Sequence, residues 1–225
     1  MIENPECYQV GEYQVPESLV NALLTADWTE EPDILRPGLS STSRVIYFPC
    51  SLTDRYDQVI PDKLHPIRDA ALAIANDAVW ENFPNCTIVK GEISLLKKLG
   101  KQSGHQDPRT FHRLSRRIHL PIITNSGSKL CIDDRQYHMP ANTLWAFDNV
   151  TGMHWSQNFG MSNRWHIIVD IVDTTMLKFI LEKITVDEFY SLWWNWLDTA
   201  SPKLIKELGL EQAASIPVTR TTQQY

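Results

Sequence analysis

Four groups of side chains in the middle of this chain stand out for what they can do together: His105-Gln106-Asp107, Arg117-Ile118-His119, His154 and Arg164. Two imidazoles and one carboxylate on one face of a divalent first-row metal leave the other positions open, which is the ligand set of non-haem Fe(II) oxygenases. A His-x-Asp pair alone is weak evidence, because it often arises by chance. In a strand, residues two apart share a face, so His105 and Asp107 are expected to point together into a barrel. His154 is the expected third ligand, brought from a different strand. Arg164 lies ten residues beyond it, room for one strand, a turn and a return. A guanidinium facing the same cavity can grip the far carboxylate of a small dicarboxylate through two parallel hydrogen bonds. An arginine more often makes a surface ion pair. The neighbours Ile167, Ile168 and Val169 instead mark a buried strand, where an unpaired cation is costly.

Elements able to hold these residues follow from periodicity. Between 87 and 173, short β-prone runs succeed one another at 87–96, 116–124, 129–132, 136–139, 143–147, 154–157 and 164–172. They are separated by Asn125-Ser126-Gly127, Asp133-Asp134, Pro140-Ala141-Asn142 and Gly160-Met161-Ser162-Asn163. Many short strands so punctuated predict a sandwich or jelly-roll barrel. Upstream, a short helix is expected over 17–26, and a strand over 44–48 ends at Pro49. Between them runs a polar stretch broken by Pro32, Pro37 and Gly38, read as a surface connection or as a cover over a binding site. A helix over 61–80 shows one apolar stripe of Leu64, Ile67, Ala71, Ile74 and Ala78. Past 173 the pattern returns to helix at 176–183, and Thr185 and Glu188 stand in the reciprocal spacing of a capping box. Phe189, Leu192, Trp193 and Trp196 then recur at helical intervals. This tryptophan-rich face is expected to bury against the sheet or to form a homodimer seam. The chain is read as one domain over 1–225, with a flank at 1–86, a β core at 87–173 and helices and tail at 174–225.

Composition narrows the classes. The 225 residues, 43% hydrophobic and 21% charged, suit a globular fold with a sizeable core. A formal charge of −6 argues against a nucleic-acid partner, which needs a concentrated basic surface. Cys7, Cys50, Cys86 and Cys131 are too scattered for a C-x-x-C site and are read as reduced thiols. The polar, acidic start and the lack of a long apolar run predict a cytoplasmic protein with no membrane span.

The runs R-I-H-L-P-I-I-T-N at 117–125, W-A-F-D-N at 145–149 and R-W-H-I-I-V-D at 164–170 resemble the aspartyl/asparaginyl β-hydroxylase family, which includes relatives acting on proline. That family belongs to the Fe(II)- and 2-oxoglutarate-dependent oxygenases with a double-stranded β-helix fold. The resemblance spans about 87 to 173; the flanks carry no family signature. It implies a mainly β, cupin-like core with flanking α-helices. It also implies that His105, Asp107 and His154 bind iron and that Arg164 binds the distal carboxylate of 2-oxoglutarate. Arg117 and His119 would then lie near the co-substrate's chelating end. Ser94, eleven residues before His105, matches a co-substrate hydroxyl in some relatives. Some animal members lack the acid, so Asp107 draws this chain toward the proline-hydroxylating and bacterial branch. The implied reaction consumes dioxygen, converts 2-oxoglutarate to succinate and carbon dioxide, and turns a C–H into C–OH.

The run 109–117 concentrates positive charge. Arg109 and Arg116 read as solvated, while Arg113 is a candidate for an anionic substrate group. His166 shares a face with Arg164, in a supporting or a packing role. His65, His112 and His138 have no visible partner in the sequence. The expected substrate is an aspartyl/asparaginyl-type residue in a peptide or protein, the alternative being a free amino acid such as proline. A non-catalytic cupin-like binding module and an oligomer scaffold are the rivals from other classes.

Overall fold

A computed structural model describes residues 7–26, 42–48, 60–107, 114–150, 152–189 and 206. The elements are β1 (Cys7–Glu12), α1 (Glu17–Thr25), β2 (Ser43–Phe48), α2 (His65–Asn82), β3 (Cys86–Leu96), β4 (Gly100–Lys101), β5 (Arg116–Ile123), β6 (Ser128–Ile132), β7 (Arg135–Tyr137), β8 (Thr143–Phe147), β9 (His154–Asn158), β10 (Arg164–Asp173) and α3 (Thr174–Leu181). They form two antiparallel sheets, β1-β8-β5-β10-β3-β2 and β4-β9-β6-β7. The sheets face one another, joined inside by a cluster of Cys7 and Phe147 from one with Leu130 and Ile132 from the other. The fold is the double-stranded β-helix, a jelly roll, with helices on the outside of the larger sheet.

Strand β10 shows how the sequence builds this wall. It lies between β3 and β5, and its alternate residues Trp165, Ile167, Val169 and Ile171 join the main hydrophobic core. That core takes Ile118, Leu120 and Ile122 from β5, Leu19 and Leu23 from α1, and Ile67, Ala71, Ala75 and Ala78 from α2. The alanines let α2 lie close on the sheet, while each buried Ile, Leu or Val contributes about 1.5–3 kcal/mol. The period of two then forces Arg164, His166, Ile168 and Asp170 onto the other face, between the sheets. On β5 the residues that share this inward face are Arg117, His119 and Pro121; on β3 they are Glu92, Ser94 and Leu96.

Local chemistry sets the element ends. A 3-10 turn at Asp62–Leu64 leads into α2, whose first turn carries a proline. Asp173 caps α3 by accepting from the Met176 N–H at 2.9 Å. The Thr185 N–H donates to Glu188 Oε2 at 2.8 Å and the Glu188 N–H to Thr185 Oγ1 at 3.2 Å, a complete capping box. Asn142, at φ 64°, accepts from Tyr13 N–H through its carbonyl and from Val15 N–H through its side chain, both at 3.0 Å, which ties β1 to β8.

The structure adds two strands to those expected. β1 pairs with β8 at the sheet edge with a register shift between Gln9 and Gly11, an irregularity that hides its alternation. β4 is only two residues long. The strand expected at 136–139 sits at Arg135–Tyr137. Cys7, Cys86 and Cys131 are free thiols. No helix among the described residues is long and apolar enough to cross a membrane. The possible cover before Thr42, Arg113, His112, Cys50 and the tryptophan cluster at 193–196 lie outside the described residues.

Candidate metal centre

The three candidate ligands meet because the backbone stitches their segments together. His105 and His154 exchange both main-chain hydrogen bonds, at 3.0 and 2.8 Å, as an isolated bridge. Two residues on, the Asp107 N–H donates to the Asn149 carbonyl at 2.9 Å. This corrects the expectation of a ligand strand: neither His105 nor Asp107 lies in a named strand, and Asn149 does the holding instead. His105 Nδ1 lies 2.9 Å from the Ser103 carbonyl and His154 Nδ1 lies 3.2 Å from that of Gly152. A carbonyl only accepts, so both rings carry the proton on Nδ1 and turn Nε2, with its lone pair, toward Asp107.

His105 Nε2 is 3.8 Å from Asp107 Oδ1, and His154 Nε2 is 3.9 Å from Oδ2. The ligand atoms of all three lie within 4.8 Å of one another. That spacing would let His105, Asp107 and His154 hold one divalent ion between them. The donor set, imidazole nitrogens backed by carbonyls and a mostly buried carboxylate, fits a divalent first-row metal. Burial pushes His154 down to about 4, aided by His105 and Arg117 and opposed by Asp107, so the ring is neutral and its lone pair free.

Asp107 is itself held. Asn149 Nδ2 donates to Oδ2 at 2.9 Å, and Arg117 Nη1 donates to the same oxygen. The other edge of the Arg117 guanidinium makes a two-pronged contact with Asp170, Nε to Oδ1 at 2.8 Å and Nη2 to Oδ2 at 2.9 Å. Burial works against the Arg117 cation, but Asp170 and then Asp107 outweigh it and its pKa is raised. Arg117 thus lies against the candidate ligand Asp107 with its donors spent on two carboxylates. Asn149 and Asp170 were not singled out in the sequence. Asp170 had a signal: an acid inside the run I-I-V-D-I-V on a buried strand needs a cation. Asn149 had none beyond its place in the W-A-F-D-N run.

Arg164 is the opposite case. It is 2% exposed, no hydrogen bond or salt bridge reaches its side chain among the described residues, and its Nε is sealed without a partner. Burial lowers its pKa to about 10, which Glu92 only partly offsets. On the same inward face lie Ser94, 1% exposed with Oγ sealed and unpartnered, and His166 directly across from it on β10. His119 stands between the two ends, edge-on to Phe147 at 5.1 Å, and Phe147 is in turn edge-on to His154 at 5.4 Å. Of the histidines without a sequence partner, His138 places Nδ1 3.1 Å from the Ser128 carbonyl.

Residues 71–174 match the family described as aspartyl/asparaginyl beta-hydroxylase, a stretch that contains Ser94, all three candidate ligands, Arg117, His119 and Arg164. Comparison with the curated proteins finds no match. Among solved structures, the chain is similar to a viral collagen prolyl hydroxylase from Paramecium bursaria Chlorella virus 1, in complex with 2-oxoglutarate. The identity is 8% over 75% of this chain and 97% of that one, with a TM-score of 0.47. It is also similar to a Pseudomonas putida prolyl-4-hydroxylase, at 14% identity over 74% and 92% and a TM-score of 0.46. A Burkholderia pseudomallei oxidoreductase of the 2OG-Fe(II) oxygenase family follows at 10% identity over 69% and 76%, TM-score 0.44. At these scores the three likenesses carry no weight for the chemistry, which rests on the family match and the cluster itself.

Proposed function

We propose that this protein, an Fe(II)- and 2-oxoglutarate-dependent oxygenase whose residues 71–174 carry the aspartyl/asparaginyl β-hydroxylase signature, hydroxylates an aspartyl- or asparaginyl-type side chain in a peptide or protein. Iron and 2-oxoglutarate, when bound, supply the oxidising chemistry, with dioxygen divided between succinate and the new hydroxyl group as carbon dioxide is lost. The residues supply position. His105, Asp107 and His154 hold the metal on one face. Arg117 and Asn149 hold the Asp107 carboxylate in place through Oδ2. Ser94 and Arg164 hold the distal carboxylate, and His119 offers a polar contact toward the chelating end.

The observation that carries this reading is Arg164. A guanidinium 2% exposed and without an ion-pair partner among the described residues carries a desolvation penalty that Glu92 only partly offsets. A bound dicarboxylate removes that penalty, and a barrel built for a neutral ligand gives no reason for it.

A succinate-release screen over Asp-, Asn- and Pro-containing peptides and free amino acids, with His154→Ala as control, tests the proposal. Stimulation by an Asp- or Asn-containing peptide is expected. Turnover with free proline alone would move the assignment to amino-acid hydroxylation. For the rival binding module, anaerobic addition of Fe(II) and 2-oxoglutarate decides: the chelate gives a weak visible charge-transfer band, and a module without these roles gives none. Arg113 keeps its place as a candidate for the anionic group of the substrate, tested by Arg113→Ala in the same screen.

A further inference from the structure

The inward face carries two buried imidazoles that neither bind the metal nor sit idle. His119 on β5 and His166 on β10 are each 3% exposed. Their Nδ1 atoms are 3.2 Å apart, with the rings edge to face at 88°. Burial first, and Arg164 second, hold both well below the usual imidazole range, so both rings are neutral. Two neutral rings in contact through Nδ1 share one proton between those atoms. One ring is therefore the Nδ1–H tautomer with a bare Nε2, and its partner is the Nε2–H tautomer.

The far nitrogens decide which is which. His166 Nε2 is sealed from solvent and has no hydrogen-bond partner. A proton there would be a buried donor with nothing to accept it, which is unfavourable. A bare lone pair at that sealed position is cheaper than an unaccepted N–H. His119 Nε2 is not among the sealed atoms, so a proton on it faces the interior that Arg164 makes attractive to anions.

We propose that His166 is a positioning residue: it carries its proton on Nδ1, donates it to His119 Nδ1, and so fixes His119 as an Nε2–H donor facing the co-substrate space. The tautomer assignment stands on this contact and on the sealed His166 Nε2. Its effect on 2-oxoglutarate rests on the function proposed above. Without His166, His119 samples both tautomers, and in one of them it turns a lone pair toward an incoming carboxylate.

The test begins with metal-free protein labelled with 15N at histidine, using long-range proton–nitrogen correlation at neutral pH. His119 should show a pyrrole-type Nε2 and a pyridine-type Nδ1, and His166 the reverse. His166→Asn, whose amide nitrogen occupies the place of Nδ1, should preserve the His119 pattern. His166→Leu should convert it to an average of both tautomers. In turnover, His166→Leu should raise the KM for 2-oxoglutarate about tenfold with kcat little changed, and His166→Asn should recover most of the loss. A protonated Nδ1 on His119 in the wild type overturns the proposal. So does a His166→Leu variant with an unaltered His119 pattern. If His166→Leu does not fold, the wild-type spectrum and His166→Asn still decide. If no 2-oxoglutarate is consumed under any condition, the function fails while the nitrogen spectra still judge the His119–His166 pair.

Discussion

Replacing Arg164 by methionine should make the co-substrate-free protein more stable and the co-substrate-bound protein less so. Burial lowers this guanidinium to about 10, a penalty against the charged form on the order of a few kcal/mol at about 1.4 kcal/mol per pKa unit. Methionine keeps much of the stem's apolar contact and removes the charge. Buried ionic groups replaced by apolar ones commonly yield about 1–4 kcal/mol, so a gain of about 1–3 kcal/mol is expected for Arg164→Met. In a domain of this size that is a rise in Tm of roughly 2–4 °C per kcal/mol. Burial holds the folded-state value below that of the unfolded chain, so the penalty is fully present below the lowered value and fades only as pH rises above it. The advantage of the variant should accordingly be flat between roughly pH 6 and 9. Saturating 2-oxoglutarate at a hundred times its Kd adds about 2.7 kcal/mol to the wild type and nothing to the variant. Urea unfolding of the iron-loaded, oxygen-free protein with and without 2-oxoglutarate reads all four quantities. A variant more than about 1 kcal/mol less stable without ligand would show that Arg164 has a structural counter-ion and would refute the reasoning.

The metal centre predicts that Asp107→Ala weakens iron retention most. Asn149→Ala should lower metal affinity by roughly ten- to a hundredfold with little change in the melting curve; competition with a chelator measures both, and an unchanged affinity would free Asn149 of its role. Asp170→Ala strands the Arg117 cation with Asp107 alone and should cost about 3–5 kcal/mol, read as a lower urea midpoint in metal-free protein. At the capping box, hydrogen bonds from Thr185 hold the Glu188 carboxyl below its usual 4.5. Its contribution is present above that value and is lost as pH falls through the lowered pKa. Amide exchange at Thr185 should quicken over that acid range in the wild type but not in Glu188→Gln.

The strands that carry the site were legible because burial on one face leaves a period of two. R-W-H-I-I-V-D-I-V can satisfy an apolar outer wall only by sending Arg164, His166 and Asp170 inward, and R-I-H-L-P does the same for Arg117 and His119. Spacing alone could not assign partners among those inward groups. Arg117 and Arg164 look alike in sequence, yet one is saturated by Asp170 and Asp107 and the other is left open; only the register of β10 against β5, Asp170 opposite Arg117, separates them. The His105–Asp107 segment was misread as a strand because period-two logic was applied where the backbone makes a single bridge and then bonds to Asn149. Strand β1 was missed because its register shift spoils its alternation.

Three main-chain hydrogen bonds tie 105–107 to 149–154, so the backbone itself holds the ligands in one clasp. Little chain must be ordered when a cation arrives, and little is released when it departs. Loss of the ion should therefore silence the enzyme reversibly without exposing its interior, leaving a folded reservoir that regains competence when iron returns.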